Sequence, residues 1–308
     1  AVRMRRSSAW EHSSFLFRSD VGTSDPVRIP GDLVQPQHHQ YRGIRTNAGY
    51  YLYQPGLYGS PGGAFGGSSS VQREKTAGLD DRRGRKMETM IEVIDLVKKY
   101  QDQEVLKKIS CTFEKGKIAG LIGRNGAGKT VLMKCICGFV IPTEGEIRID
   151  GRKLRGRKEA DLTKIGMIIE NPAFLEAYTG YQNLAFLARI NGIIGKEKIR
   201  KTLRMVGLDP DSRKKVGKYS MGMRQRLALA QAVMEDQEIL ILDEPMNGLD
   251  NRGVEEMRKL LLEFRGQGKT ILLASHSQED IRVLCDKIYE MDQGEIIGTQ
   301  WKNQEGSE

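Results

Sequence analysis

The fold of this chain is decided by Gly123-Arg-Asn-Gly-Ala-Gly-Lys129-Thr130, which fits the phosphate-binding pattern G-x-x-x-x-G-K-[S/T]. The short apolar run before it, Ile118-Ala-Gly-Leu-Ile122, is typical of a buried strand. Residues 131–138 indicate a helix that ends at a glycine. Strand, glycine-rich loop and helix are the context that the pattern requires. For the eight residues by themselves, a glycine turn before an ordinary helix is the alternative.

The loop predicts a site for ATP and Mg²⁺. Its glycines let the backbone approach phosphate closely, and its N–H groups and the following helix N-terminus face the anion. We expect Lys129 to reach the β- and γ-phosphates and the Thr130 hydroxyl to bind Mg²⁺. The residues predicted to contact the nucleotide here are Gly123, Arg124, Asn125, Gly126, Ala127, Gly128, Lys129, Thr130 and Val131.

Composition limits the partners that we expect. Charged residues make up 29% of the 308 residues, and no apolar run reaches the length of about 18 residues that marks a membrane-spanning helix. Residues 1–86 contain 13 basic and 7 acidic side chains, so they carry +6 of the net charge of +9. The remaining residues are nearly balanced, and we therefore expect no nucleic-acid partner. The four cysteines lack a C-x-x-C pair and are predicted to be reduced core thiols.

Residues 1–86 are predicted to be a disordered extension, because they lack a sustained apolar period and are rich in Gly, Ser and Pro. Residue 1 is not methionine, and the codons of Arg82-Arg-Gly-Arg-Lys86 are compatible with a ribosome-binding site before Met87. We expect a non-native leader or tag, with a real disordered basic tail as the alternative. Residues 87–300 are predicted to form the folded domain and residues 301–308 a short tail.

The folded part shows two kinds of pattern. Residues 90–96, 109–113 and 146–150 predict strands of an antiparallel sheet, and residues from about 171 to 235 are predicted to be mostly helical. Residues 238–243 and 270–274 are apolar strands that end in polar residues, as expected at the carboxyl edge of a parallel sheet. Met291-Asp-Gln-Gly294 predicts a tight turn between two final strands.

Two further motifs carry candidate chemistry. Ile239-Leu-Ile-Leu-Asp243-Glu244 is a buried strand that delivers two carboxylates. Asp243 suits the Mg²⁺ shell and Glu244 suits a general base for an attacking water, although solvated acids at a strand tip are the alternative. In Tyr219-Ser220-Met-Gly222, Ser220 is placed to cap a helix whose N–H groups form an anion site; a simple N-cap is the alternative.

In this order and spacing, the motifs resemble those of the nucleotide-binding subunit of ATP-binding cassette (ABC) transporters. Residues 219–226 match the signature, Leu242-Asp-Glu-Pro245 the second nucleotide motif, Asn247-Gly-Leu-Asp250 the D-loop and Ser275-His276 the switch histidine. The resemblance covers residues from about 90 to 300. It implies an α/β P-loop NTPase with a RecA-like core, an antiparallel β subdomain and a helical subdomain that carries the signature.

The resemblance also implies roles for single residues. Tyr100 would stack on adenine, and Glu170 stands at the family's Q-loop glutamine position, where a carboxylate can bind Mg²⁺ or water. Asp250 would lie at a dimer seam. His276 would contact the γ-phosphate and hold the water and Glu244 in geometry.

Partners follow from the same resemblance. Two ATP molecules would lie between two subunits, as a homodimer or heterodimer, with Ser220 and Gly222 of one subunit reaching the ATP of the other. A separate membrane permease would dock near residues 171–187, which would place the chain in the cytoplasm on the inner face of the cell membrane. Four aromatic residues there would line the groove, or pack as helical core instead: Phe174, Tyr178, Tyr181 and Phe186.

The signature departs from the common L-S-G-G-Q and resembles that of exporters for bacitracin and lantibiotic resistance, which favours export. Two other classes remain as alternatives. One is a non-transport ATPase that acts on nucleic acid or ribosomes. The other is a regulatory module that barely hydrolyses ATP, against which Lys129, Asp243, Glu244 and His276 argue.

Overall fold

The structure, a computed structural model, describes residues 88–154, 163–170 and 173–302. Residues 1–86, Asn171 and residues 303–308 lie outside this part of the chain. The expectations about a leader and a short C-terminal tail therefore remain predictions.

A six-stranded sheet forms the centre of the described part, in the order β10-β9-β3-β8-β7-β6. Its strands are β3 (Ile118–Ile122), β6 (Ile165–Ile168), β7 (Ile239–Asp243), β8 (Thr270–Ala274), β9 (Lys287–Asp292) and β10 (Glu295–Trp301). Neighbouring strands are parallel from β9 to β6, and only β10 runs antiparallel, joined to β9 by the predicted tight turn. Parallel strands covered on both faces are nearly continuous in apolar residues, which is why these runs were recognisable.

An antiparallel sheet of four strands, in the order β2-β1-β4-β5, lies in the N-terminal part of the described chain. It contains β1 (Thr89–Tyr100), β2 (Gln103–Glu114), β4 (Glu144–Ile149) and β5 (Arg152–Lys153). The predicted antiparallel sheet is confirmed, but β1 and β2 are longer than the apolar alternation indicated. A register shift between Val93 and Leu96, with a positive φ of 45° at Asp95, interrupts the alternation while the strand continues.

Six helices are described. They are α1 (Lys129–Ile136), α2 (Gly180–Asn191), α3 (Lys196–Met205), α4 (Met221–Val233), α5 (Asn251–Gly266) and α6 (Gln278–Leu284). The predicted helical region separates into α2, α3, a single 3₁₀ turn at Val216–Lys218 and α4. Ser220 caps α4 as expected, since its side chain accepts a hydrogen bond from the Met223 N–H at 3.3 Å.

Two hydrophobic clusters cover the two faces of the central sheet. Alternate residues of a strand point to opposite faces: Leu121 and Ile241 pack with α1 and the antiparallel sheet. Leu240 and Leu273 pack with the helices that follow β6. The fold class predicted from the sequence, an α/β core with an antiparallel β part and a helical part, is confirmed.

The four cysteines are buried and free: Cys111, Cys135, Cys137 and Cys285. Burial raises the pKa of the Cys111 thiol to about 12 and that of Cys285 to about 12. Both thiols are therefore protonated at neutral pH. None of the helices in the described residues has the length and hydropathy that crossing a bilayer requires.

Candidate active site

The carboxyl ends of four adjacent parallel strands meet at one edge of the central sheet. The phosphate loop follows β3, His276 follows β8 by two residues, and Asp243 ends β7. Glu170 follows β6 by two residues. A ligand cleft is expected at such an edge, and a cavity of about 880 Å³ opens there. It is lined by Val105, residues 125–131, Glu170, Phe174, Met221, Arg224, Gln225, Asp243, Glu244, Asn247 and His276.

The phosphate loop is held in a curled conformation by its own lysine. Lys129 is 7% exposed, and its ammonium donates hydrogen bonds to the Gly123 carbonyl at 2.6 Å and the Arg124 carbonyl at 3.2 Å. Gly123 has a φ of +145°, and a Cβ there would lie 2.1 Å from the Met291 carbonyl oxygen. Only glycine fits this position, because any side chain would collide with the β9–β10 turn.

A hydrogen bond links the start of α1 to the end of β7. The Thr130 hydroxyl donates to Asp243 Oδ2 at 2.7 Å. A hydroxyl and a carboxylate are the hard oxygen donors that Mg²⁺ prefers. Within the described residues, no three His, Cys, Asp or Glu side chains cluster closely enough to hold a metal by themselves. The donor set therefore fits a Mg²⁺ ion that takes its remaining ligands from phosphates and water, rather than a metal enclosed by protein.

Glu244 has a conformation that residues other than glycine rarely adopt. Its φ is +51°, and its backbone N–H donates to the Ala274 carbonyl at 3.0 Å, which ties β7 to β8 beyond the strand ends. Burial raises the pKa of its carboxyl group, and Asp243 acts in the same direction, while His276 and Lys129 oppose the shift. A carboxylate whose pKa is raised towards neutrality suits a general base.

His276 contacts both oxygens of that carboxylate. Its backbone N–H donates to Glu244 Oε2 at 3.3 Å, and its Nε2 lies 3.3 Å from Oε1. Oε1 is buried and accepts no hydrogen bond within the described structure. A buried acceptor without a hydrogen bond is costly, so Oε1 would be stabilised by a donor that reaches it.

Glu170 lies in the same cavity with its charge already paired. Its carboxylate forms an ion pair with Lys134 of α1, and its φ is +59°. Glu170 thus faces the site but is paired with a lysine rather than with the Thr130–Asp243 pair. The lysine was not found from the sequence, since nothing in the spacing relates it to a residue after β6.

Ser220, Gly222 and Asp250 lie beside the cavity, whereas Met221, Arg224 and Gln225 of the signature and Asn247 of the D-loop line it. Ser220 is exposed at the start of α4, and Gly222 contacts the D-loop, where its added Cβ would lie 3.3 Å from Leu249 Cδ2. Asp250 is also exposed, and it caps α5 by accepting a hydrogen bond from the Gly253 N–H at 2.9 Å. These residues present a surface next to the site of their own chain.

Comparisons with known proteins agree with this geometry. The ABC transporter family model matches residues 106–247. The ABC transporter ATP-binding protein YybJ of Bacillus subtilis, described as uncharacterized, is 44% identical over 208 residues, which are 67% of this chain and 94% of that protein. The chain belongs to the family of ABC transporter ATP-binding proteins.

Two relatives carry more specific names. The bacitracin transport ATP-binding protein BcrA of Enterococcus faecalis is 42% identical over 68% of this chain and 69% of the relative. The lantibiotic transport ATP-binding protein SrtF of Streptococcus pyogenes is 36% identical over 68% of this chain and 89% of the relative.

Solved structures agree at the level of the cassette. An ATP-binding subunit of an ABC transporter superposes with a TM-score of 0.64 at 28% identity, covering 70% of this chain and 91% of the other. A dimeric cassette bound to ADP and Pi, at 24% identity and a TM-score of 0.64, shows the same fold. The chain is thus an ABC ATPase, whose hydrolysis of ATP powers transport through a separate permease.

Two groups of cavity residues differ from the sequence-based expectation for this ABC ATPase. Tyr100 ends β1 beneath the Lys98 ammonium, 4.8 Å from the ring centroid, and it does not line the cavity, whereas Val105 of β2 does. Met221 and Gln225 of α4 also line the cavity. Their motif was recognised, but no spacing rule shows which face of α4 turns towards the phosphate loop.

Proposed function

We propose that Lys129, Thr130, Asp243, Glu244 and His276 form the centre that binds and hydrolyses Mg²⁺-ATP. The observation that carries the proposal is the meeting of these side chains around one cavity at the ends of three adjacent strands. Lys129 is suited to bind the β- and γ-phosphates. Mg²⁺, when bound, supplies positive charge to the phosphates, and Thr130 and Asp243 would hold it.

Glu244 is the proposed general base. Its oxygen Oε1, which lies 3.3 Å from His276 Nε2, is proposed to accept a proton from a water molecule that attacks the γ-phosphorus. His276 is proposed to hold that water and the carboxylate in geometry, since it lies 3.3 Å from both carboxylate oxygens. Glu170 is proposed to assist through a bound water or the Mg²⁺ shell, with Lys134 balancing its charge.

A second copy of the cassette is proposed to complete the site. Ser220 and Gly222 do not line the cavity of their own chain, and the exposed start of α4 is suited to bind the γ-phosphate of an ATP on another subunit. Asp250 would lie in the seam between the two subunits. Closure would then depend on the γ-phosphate, whose loss on hydrolysis releases the halves.

The permease is proposed to dock at the segment before and within α2, on the inner face of the cell membrane. Tyr178 and Phe186 form an edge-to-face pair with ring centroids 5.1 Å apart, and both remain partly exposed. Phe174 and Tyr181 instead pack against the hydrophobic cluster of the helical part. Tyr178 and Phe186 are therefore the pair proposed to line the groove, while Phe174 and Tyr181 pack as helical core.

We propose that the transported compound is an antibiotic of the bacitracin or lantibiotic type and that it leaves the cell. Two named relatives support this substrate class. In the organism that encodes the chain, Glu244→Gln should lower the inhibitory concentration of bacitracin or of a lantibiotic, measured by broth dilution. Glu263→Gln, an exposed position on α5, is the matched control and should leave it unchanged.

Two outcomes of that experiment contradict different statements. Unchanged sensitivity to both classes in a Glu244→Gln strain that has lost the ATPase would overturn the substrate class only. Co-purification of the tagged chain with ribosomes or nucleic acid, rather than with a multi-span membrane protein, would favour the non-transport alternative.

A further inference from the structure

Three buried polar side chains lie behind the switch histidine and are not part of the phosphate site. Arg258 of α5 is 6% exposed, Asp280 of α6 is 3% exposed and Ser275 at the end of β8 is 5% exposed. Removing a charged pair from water is costly unless its hydrogen bonds are well satisfied. The Arg258–Asp280 pair reaches Ser275, the residue before His276.

The three side chains form a continuous chain of hydrogen bonds. Arg258 donates to Asp280 Oδ1 from Nε at 2.8 Å and from Nη2 at 2.6 Å. The Ser275 hydroxyl donates to Asp280 Oδ2 at 3.1 Å. Asp280 thus uses one oxygen to bind α5 and the other to bind the loop that carries His276. Arg258 also pairs with two exposed carboxylates at the surface, Glu255 at 2.8 Å and Glu279 at 3.2 Å.

The same hydrogen bonds fix the backbone on both sides of His276. The Ser275 hydroxyl oxygen accepts a hydrogen bond from the Ser277 N–H at 3.1 Å. Ser277 in turn caps α6 by accepting from the Asp280 N–H at 3.2 Å. The residue before His276 and the residue after it are therefore both connected to Asp280.

The His276 side chain itself is 55% exposed, so packing contributes little to its position. Its two contacts with Glu244, from the backbone N–H and from Nε2, both depend on where residues 275–277 lie. A displacement of this short loop would move both contacts at once. The buried relay of Arg258, Asp280 and Ser275 is what restrains the loop.

We infer that Arg258, Asp280 and Ser275 are positioning residues for hydrolysis, which act by holding His276 against Glu244. The relay also connects the hydrolytic base to α5, whose first residue follows Asp250. Arg258 lies in the middle of α5, so the relay links this helix to the loop that carries His276. The inference rests on the proposed roles of Glu244 and His276 and adds what keeps them together.

The first test is Ser275→Ala, which removes one hydroxyl and no charge. Because it frees the His276 loop, kcat for ATP hydrolysis should fall by about tenfold to a hundredfold, the range expected for misplacing a catalytic group. KM for ATP should change little, since the phosphate loop is untouched, whereas the Tm should fall because the buried Asp280 carboxylate loses a hydrogen-bond donor. Ser275→Thr, which keeps the hydroxyl, should restore kcat, and Asp280→Asn should repeat the loss.

A matched control separates positioning from general loosening of α5 against α6. Arg265 of α5 binds Asp286, two residues after α6 ends, at 3.1 Å, but neither side chain contacts the His276 loop. Arg265→Met should therefore leave kcat unchanged. An equal loss of kcat in Arg265→Met would overturn the inference, because any break between these elements would then suffice.

The decisive comparison places Ser275→Ala in a His276→Ala background and measures single-turnover hydrolysis with enzyme in excess. If Ser275 acts through His276, the double variant should be no slower than His276→Ala. Multiplicative losses, or wild-type kcat in Ser275→Ala alone, would overturn the inference and leave the proposed active site intact. Wild-type kcat in His276→Ala would instead refute the proposed role of the histidine, and the inference with it.

Discussion

Two glutamates at the edge of the sheet have left-handed backbones. Glu170 has a φ of +59° and lies two residues after β6. Glu244 has a φ of +51° and directly follows β7, the strand next to β6. Such a conformation costs a residue other than glycine about 1–3 kcal/mol and persists where the surroundings enforce it. Contacts elsewhere in the fold offset the cost of this strain, and both glutamates line the cavity.

The raised pKa of Glu244 predicts how the stability of the fold changes with pH. Because burial raises the folded-state pKa above the unfolded value, the charged carboxylate destabilises the fold above that pKa, and the penalty disappears below the unfolded value of about 4.3. Glu244→Gln should therefore have a higher Tm than the wild type at pH 8, with the difference narrowing towards pH 4. Thermal unfolding across this pH range measures it.

Glu256 is the control, because its carboxyl pKa is shifted in the opposite direction. Its ion pairs, first with Arg226 and then with Arg252, lower its carboxyl pKa, so its charged form stabilises the fold above the unfolded pKa. Glu256→Gln should lower the Tm at pH 8 and lose that effect in acid. The same sign for both variants would contradict the assignment of burial as the cause at Glu244.

Lys129 should be required for nucleotide binding as well as for turnover. Lys129→Ala removes a charged donor from the phosphate loop, and hydrogen bonds to charged groups contribute about 1.5–3 kcal/mol. ATP affinity should therefore fall by about tenfold to a hundredfold, measured by calorimetry with Mg²⁺. Lys153→Ala, which breaks an exposed pair with Glu146, should bind ATP like the wild type.

At the scale of elements, one close approach sets how the helical part meets the sheet. β6 passes so near α4 that a Cβ on Gly166 would lie 1.8 Å from the Ala232 carbonyl oxygen. Backbone on the other side cannot move aside as a flexible side chain can. The glycine thus allows α4, which carries the signature, to pack directly on the central sheet.

Gly166→Ala should therefore lower the free energy of unfolding by about 2 kcal/mol or more, because overpacking of a core typically costs about 1–3 kcal/mol. Chemical denaturation gives the free energy of unfolding. Gly195→Ala is the matched control, because an added Cβ there meets nothing within 4 Å and φ is −96°. Equal stability of the two variants would contradict the observed packing of β6 against α4.

Variants at two helix caps in the helical part can distinguish loss of stability from loss of ATP hydrolysis. Thr179 caps α2 in a capping box with Gln182, and Ser220 caps α4. Replacing either with alanine should cost about 1 kcal/mol of stability. Only Ser220→Ala should also reduce ATP hydrolysis and ATP-dependent dimerisation. If Thr179→Ala reduced hydrolysis equally, the effect at Ser220 would be explained by loss of the cap alone.

At the scale of the whole molecule, one chain brings only part of its signature to its own site. Met221, Arg224 and Gln225 line the cavity together with the phosphate loop and the proposed base, while Ser220 and Asp250 lie outside its lining. A cassette that needs the signature of another subunit is active only as a dimer. ATP must then bind the closed dimer more tightly than ADP does, or hydrolysis would not drive a cycle.

Glu244→Gln should trap that dimer. It removes the proposed base but leaves the phosphate loop, so hydrolysis should fall by at least about a hundredfold while ATP binding persists. Light scattering with Mg²⁺-ATP should show a dimer for Glu244→Gln and a monomer for the variant that also carries Lys129→Ala. A Glu244→Gln protein that hydrolyses ATP at the wild-type rate would refute the assignment of the base.

Local sequence patterns are sufficient to predict the fold class and the centre of the proposed site. The strands β3, β7 and β8 are short and mostly apolar, and polar residues stand at or just after their ends, so both their burial and the placement of Lys129, Asp243 and His276 at one edge could be predicted. Ser220 was recognisable as a helix cap because capping depends on residues only a few positions apart. These features depend on residues that are close together in the chain, so they can be predicted from a single sequence.

The contacts between side chains that are far apart in the chain could not be predicted in this way. The pairing of Glu170 with Lys134, the absence of Tyr100 from the cavity lining and the relay from Arg258 through Asp280 to Ser275 depend on how helices pack against the sheet. The left-handed turn at Glu244 is likewise imposed by β8, since its N–H binds the Ala274 carbonyl. Long-range packing sets these contacts, and local residue spacing does not encode it.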